Sequence, residues 1–316
     1  MALPWRDVTF VQDINLTPTA SYIDIGYGNG SGGAAATGSL PARTWGTPAE
    51  CVAATVLVHG LGAHSGWFEA LGRRLKVRRI FTLAYDQVGF GKRRSEQFIS
   101  REQWFDDLAT AFNYLTKITD KPIFIMGNSM GAAVAMKAVA ERKVAPSGLV
   151  MFSPGFDGNR KIFSLQYKVT SLIKALLSPE AEIAVPYTPE MITRSQSVQA
   201  WLNNDPDRRF SPTGKMLLEL LKMSLTLSKI RSADCPVLMM RAGIDCIVDN
   251  DVSKKVLDRL QCPSKKDRMF EKAWHDLMFD PVIDDLTDEV VEWMTKTAQA
   301  PSEKRLAGDT AGDGKR

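Results

Sequence analysis

The sequence predicts an α/β fold: a mostly parallel central sheet flanked by helices, with a helical cap inserted after the sixth strand. Three observations carry this reading. Short apolar runs at about 53–58, 79–85, 122–127, 147–152, 236–241 and 267–271 alternate with helical stretches, the pattern of strands joined by crossover helices. The run at 122–126 passes through Gly127-Asn128-Ser129-Met130-Gly131 directly into the alanine-rich helix former at 132–140. The alternation then breaks between about 155 and 232 and resumes at Pro236.

Along the chain, residues 1–39 are expected to supply an N-terminal strand segment and a flexible loop. Val8-Thr9-Phe10-Val11 alternates in the manner of an edge strand, and 26–38 is rich in Gly, Ala, Asn and Ser. The α/β core is assigned to 40–154 and 233–298, its pattern beginning at Arg43-Thr44-Trp45. The cap is assigned to 155–232. Within it 163–177 is amphipathic, whereas 215–227 is apolar nearly all round, which favours core packing ahead of an acyl-chain wall. The polar, glycine-containing end at 299–316 reads as a disordered tail.

The strand-to-helix turn at 127–131 is the chemical centre. A sharp Gly-x-Ser-x-Gly turn holds its serine in a strained conformation and lifts the hydroxyl clear of the sheet. The flanking glycines are expected because a Cβ at either would strike a neighbouring strand or helix. A serine hydroxyl is a poor nucleophile at neutral pH and needs a base whose tautomer is fixed by a third group. The chain holds three histidines, His59, His64 and His275. His275 follows the edge strand that contains Asp267-Arg268-Met269-Phe270, where a loop at the carboxyl end of a sheet carries catalytic groups, so it is the expected base. His59 and His64 lie in an upstream loop and read as structural. Asp245 follows the apolar strand that opens at Cys235-Pro236 and is the expected acid, ahead of Asp249 and Asp251, which sit at a helix start. The strand at 53–58 runs into His59-Gly60-Leu61-Gly62, where the backbone can approach a substrate. The backbone N–H groups of Leu61 and Met130 are therefore the expected oxyanion donors.

These segments resemble the α/β-hydrolase superfamily, and within it the monoglyceride lipase and lysophospholipase branch. His59-Gly-Leu-Gly-Ala-His-Ser-Gly-Trp-Phe68 is similar to that branch's oxyanion loop, Tyr85-Asp86-Gln87-Val88-Gly89-Phe90-Gly91 to its Asp…Gly-x-Gly segment, and Asn204-Asp205-Pro206 to its cap Asp-Pro. The order Ser129, Asp245, His275 is that of the superfamily. The resemblance spans about residues 40–297 and implies a serine hydrolase acting on carboxylic esters without cofactor or metal. It also marks departures. Positions that in monoglyceride lipases bind the glycerol hydroxyls look like Ala63, Trp67 and Met278 here. Taken as substrate-pocket residues, they favour an ester with an apolar or small leaving group. Asn128 stands where the elbow commonly has histidine, a side chain expected to pack away from the site.

The remaining features bound the reading. The chain has 316 residues, 44% apolar and 24% charged, enough for one α/β core with an insertion, and a net charge of +4. The basic runs 73–79 and 92–94 are short and interrupted and read as solvated surface. No zinc-finger, RRM-like or P-loop pattern is present, so nucleic-acid and nucleotide binding are not expected. Cys51, Cys235, Cys246 and Cys262 lack metal-like spacing and read as free thiols. No run is long enough to span a bilayer and the N-terminus lacks a signal pattern, so the expected location is cytoplasmic, with any membrane contact peripheral and through the cap. The expected partner is a small ester or lipid. Acyl transfer or thioester cleavage by the same residues, and a non-catalytic scaffold, are the alternatives.

Overall fold

The computed structural model describes residues 14–27 and 39–299. The expected strand at Val8, the body of the glycine-rich loop and the tail from 300 onward lie outside the described residues. Eight strands form one sheet in the order β1-β2-β4-β3-β5-β6-β7-β8. Strands β3 (Ala53–Val58), β4 (Ile80–Tyr85), β5 (Ile123–Asn128), β6 (Gly148–Phe152), β7 (Val237–Ala242) and β8 (Lys265–Phe270) run parallel. Strands β1 (Ser21–Gly26) and β2 (Ser39–Trp45) add an antiparallel edge. Each of the six parallel strands lies within two residues of its expected span. The sequence reading missed β2, because Pro41 removes a ladder donor from the middle of the strand.

The apolar runs are continuous because both faces of the sheet are covered. Alternate residues serve opposite layers. Ile123 and Ile125 of β5 join a cluster with Phe105, Leu108 and Phe112 of α2 (Glu102–Ile118) and with Val134 of α3 (Met130–Ala140). Phe124 and Met126 instead join Leu71 and Leu75 of α1 (Glu69–Val77) and Val290 and Trp293 of α9 (Ile283–Gln299). Truncating a fully buried residue such as Phe124 to alanine would cost about 3–5 kcal/mol. The basic run on α1 is not a free patch: Arg74 pairs with Asp284 at 2.6 Å, and Arg78 pairs with Asp288.

Between β6 and β7 the chain inserts α4 (Leu165–Leu177), α5 (Pro189–Ile192), α6 (Gln196–Asn204) and α7 (Gly214–Leu227). Ser164, Ser195 and Thr213 cap three of these with side-chain acceptors. Helices α4 and α7 meet at Ala175 and Gly214, where a Cβ on the glycine would lie 2.7 Å from the Ala175 Cα. Helix α7 divides its apolar residues. Met216, Met223 and Leu227 are buried, whereas Leu221 and Leu225 are exposed, so the expectation of a helix dominated by core packing is only half met. Helix α8 (Asn250–Arg259) starts at Asp249, whose carboxylate accepts from the N–H groups of Asp251 and Val252. That capping role removes Asp249 from contention as the acid.

Candidate active site

The carboxyl ends of β3, β5, β7 and β8 carry the four segments singled out by sequence. Ser129 follows β5 with φ +52° and ψ −117°, a conformation that costs of order 1–3 kcal/mol for a non-glycine residue. The surroundings hold it there. Its N–H donates to the Phe152 carbonyl at 2.9 Å, and its carbonyl accepts from Gly155 N–H at 2.9 Å. Both flanking glycines are required. A Cβ on Gly131 would lie 2.0 Å from the Val58 carbonyl oxygen in β3, and one on Gly127 would lie 2.5 Å from Ala132 in α3. Met130 opens α3, so its N–H has no acceptor within the helix.

His275 is buried, and its Nδ1 lies 2.7 Å from Asp245 Oδ2. The other carboxylate oxygen of Asp245 accepts from the N–H groups of Ile247 at 2.8 Å and Val248 at 3.0 Å, which fixes its orientation. Burial favours the neutral ring of His275, but the Asp245 carboxylate and, less strongly, Asp276 outweigh it and raise its pKa above 6.5. With Nδ1 engaged, Nε2 is the nitrogen left for proton transfer. The elbow and the histidine loop are joined directly: Asn128 Nδ2 donates to Asp276 Oδ2 at 3.1 Å, and both residues are buried. Asn128 does not line the substrate cavity, but its side chain braces the histidine loop. Burial pushes Asp276 up to about 6, against the opposing pull of His275 and its hydrogen bonds from Met278 N–H and Asn128.

The 59–67 loop crosses over the serine, with a Cβ on Gly60 only 3.2 Å from the Ser129 Cβ. His59 holds this loop from beneath. Its Nε2 accepts from Gln87 N–H at 3.0 Å, so Nδ1 carries the proton that goes to the Gly60 carbonyl at 2.9 Å. Burial pushes the His59 pKa down to about 4, and the ring stays neutral at working pH. Asp86 braces the neighbouring turns by accepting from Ser65 N–H and Lys92 N–H, both at 2.8 Å. His64 packs between Gly66 N–H, at 3.0 Å, and Asp205, at 2.9 Å.

A cavity of about 250 Å³, open to solvent on one side, has Ser129, Leu61 and Met130 in its wall. Phe156, Val185, Tyr187, Leu217, Leu220 and Met223 supply much of the apolar remainder. The other expected pocket residues, Ala63, Trp67 and Met278, are buried and do not line this cavity. Ala63 and Trp67 are packed with Val198, Leu202 and Phe279, and Met278 is packed in the core layer with Leu277 and Ile283. Sequence reasoning also passed over Asp276 and Tyr187. The only signal for Asp276 was its place after His275, and Tyr187 had none.

Cys51, Cys246 and Cys262 form no disulfide. Burial, with the charge of Asp245, pushes the Cys246 thiol up to about 11, so it is not a thiolate beside the site. Among the described residues no cluster of metal-ligating side chains occurs, and no helix is long and apolar enough to cross a membrane.

Fold and site together define an α/β-hydrolase. Residues 49–282 match the family described as serine aminopeptidase, S33 (Hydrolase_4), and the chain belongs to that family. Within the superfamily it falls in the monoglyceride lipase-like branch. It is 24% identical over 271 residues to the monoglyceride lipase of Homo sapiens, covering 82% of this chain and 88% of that protein. It is 24% identical over 245 residues to a phospholipase of Bacillus subtilis (strain 168), covering 74% and 92%. Among solved structures, a soluble variant of the monoglyceride lipase from Saccharomyces cerevisiae, in complex with a substrate analog, superposes with a TM-score of 0.76 at 19% identity, covering 94% of this chain and 99% of that one. The monoacylglycerol lipase of Paleococcus ferrophilus gives 0.73 at 23% identity, covering 82% and 99%. At these identities the structural matches speak for the fold alone.

Proposed function

We propose that this chain is a serine hydrolase that cleaves carboxylic esters with apolar acyl chains, using Ser129, His275 and Asp245. The observation that carries the proposal is the cavity: a mostly apolar space with the elbow serine, Leu61 and Met130 in its wall. Ser129 Oγ attacks the ester carbonyl while His275 takes its proton. Asp245 holds the imidazole and stabilises its charged form. The Leu61 and Met130 N–H groups receive the oxyanion. The alcohol leaves with the proton from His275, which then takes a proton from water for deacylation. No step calls for a cofactor.

Monoacylglycerols stand as candidate substrates, since Ala63, Trp67 and Met278 are buried in packed clusters and do not by themselves bar a glycerol head. The helices over the cavity form its cap. Exposed Leu165, Val169, Ile173 and Leu176 on α4, with Leu225 on α7, give this cap an apolar outer surface suited to peripheral contact with a lipid interface. Aminopeptidase action, the activity in the family's description, is less well supported. It would need a free carboxylate for the substrate ammonium, and the one carboxylate in the cavity wall, Asp157, lies 3.4 Å from Lys168 Nζ.

The test is labelling with a fluorophosphonate, followed by turnover of a chain-length series of p-nitrophenyl esters and monoacylglycerols. Labelling that disappears in Ser129→Ala, with faster cleavage of medium acyl chains than of acetate, is expected. An unlabelled native protein would favour the non-catalytic scaffold.

A further inference from the structure

Leu61, whose N–H is an assigned oxyanion donor, lies between Gly60 and Gly62. Glycines have the widest backbone freedom of any residue, so the Leu61 peptide needs to be held from outside. On the core side, Gly60 C=O accepts from His59 Nδ1 at 2.9 Å and from Ala63 N–H at 3.2 Å. Further along the loop, Ser65 N–H donates to Asp86 at 2.8 Å and Ser65 Oγ accepts from Arg43 Nε at 3.1 Å, again on the core side. The holds on the Leu61 and Gly62 carbonyls come from the cap. Tyr187 Oη donates to the Leu61 carbonyl at 3.1 Å. Arg209 N–H donates to the Gly62 carbonyl at 2.9 Å. Asp205 Oδ2 accepts from His64 Nε2 at 2.9 Å and from Trp67 Nε1 at 3.0 Å. The contact is close: Gly62 has φ +82°, and a Cβ there would lie 2.6 Å from the Arg209 carbonyl oxygen. The His64 and Asp205 side chains are each only 5% exposed, so water does not compete well for these bonds.

We propose that Tyr187 and Asp205 are positioning residues for the oxyanion hole: the seated cap holds the 60–67 loop so that the Leu61 N–H is aimed before the substrate arrives. Oxyanion donors act because they are oriented in advance and need no reorganisation during the reaction. A cap that lifts from the loop releases the Leu61 and Gly62 carbonyls together and frees the peptide between the two glycines. Cap closure and catalytic competence are thus one event. Tyr187 joins the two functions, since its ring is in the cavity wall and its hydroxyl is on the Leu61 carbonyl.

This inference rests on the serine-hydrolase reading, and the experiment separates the two. Full-length Tyr187→Phe and Asp205→Asn are compared with wild type in ester turnover, and in inhibition by an alkyl trifluoromethyl ketone and its methyl ketone counterpart. The first ketone adds the serine to form a tetrahedral oxyanion, whereas the second stays a ground-state ligand. For Tyr187→Phe, kcat should fall about fivefold to tenfold, KM should stay within about twofold, and trifluoromethyl ketone affinity should fall by the same factor as kcat. Methyl ketone affinity should not change. Asp205→Asn should show the same split, and it carries the test if Tyr187→Phe does not fold. Unchanged kcat in both variants, or equal weakening of both ketones, overturns the positioning role. A wild type that neither turns over esters nor binds the trifluoromethyl ketone overturns the underlying hydrolase reading instead.

Discussion

The side-chain amide of Asn128 donates to the carboxylate of Asp276 at 3.1 Å, so the residue before the elbow serine is bonded to the residue after His275. Both are buried, and the bond spans 148 positions of sequence. It ties the elbow to the histidine loop directly. Asn128→Leu keeps the approximate shape, removes the donor and leaves a buried carboxyl short of a partner. A stability loss of about 1–3 kcal/mol in urea unfolding and a kcat several-fold below wild type are expected. Unchanged stability and turnover would mean that the bond does nothing for the site.

The pH profile should show the electrostatics of the same cluster. Asp245 and Asp276 both face His275 and raise its pKa above 6.5 against the effect of burial. A general base works only when neutral, so kcat/KM should fall as pH drops through that raised value. Asp276, at about 6, is itself charged only above that pH. Asp276→Asn removes one raising charge, so the acid limb should move to lower pH. A shift to higher pH, read from initial rates between pH 5 and pH 8 or so, would contradict the assignment.

His59 makes the opposite prediction for stability. Its pKa is about 4 in the folded chain against 6.5 for the free side chain, so the unfolded state binds the proton more tightly. Its contribution is fully present above pH 6.5 and is lost as pH falls toward 4, by roughly 3 kcal/mol in total. Urea unfolding of His59→Asn should show a shallower decline across this window than wild type. The comparison cancels the contribution of His275, whose raised pKa stabilises in the reverse direction.

The elbow glycines admit a sharp contrast. Gly131→Ala would drive a Cβ to 2.0 Å from backbone in β3, whereas a Cβ on Gly26 meets nothing within 4 Å. The first substitution should cost more than about 3 kcal/mol or prevent folding, and the second should stay within about 0.5 kcal/mol. Thermal melts of the two variants side by side decide it.

The outer face of the cap gives a functional contrast. Leu165 is 78% exposed and Leu176 63% exposed on α4. The double variant Leu165→Asp, Leu176→Asp should lower activity on emulsified lipid esters about tenfold and leave dissolved short-chain esters near wild type. An equal loss on both substrates would point to damage to the fold, and no loss on either would exclude interfacial contact through this helix.

Much of the fold was legible in the chain. Strand spacing, the continuous apolar runs and the elbow pattern follow from local rules: both faces of a parallel sheet are buried, and a strand-to-helix reversal at Ser129 requires glycines at Gly127 and Gly131. β2 was hidden because Pro41 argues against a strand, and only its pairing with β1 and β4 restores it. For Met278 and Trp67 residue type and position do not give the direction of the side chain. Their neighbours in sequence reach the site, yet Trp67 turns its ring to Trp201 and Phe279 and its N–H to Asp205.

The sequence by itself determined the α/β class and nominated a serine, a histidine, an aspartate and two backbone donors, because those choices depend on residue type and on position at the ends of strands. Only the tertiary structure decided what braces them: Asn128 on Asp276, Asp205 on His64 and Trp67, and Tyr187 on the Leu61 carbonyl. These partners lie between 126 and 148 positions apart. A hydrogen bond acts over about 3 Å, so its existence depends on how the cap and the sheet fold against each other, which local periodicity does not encode.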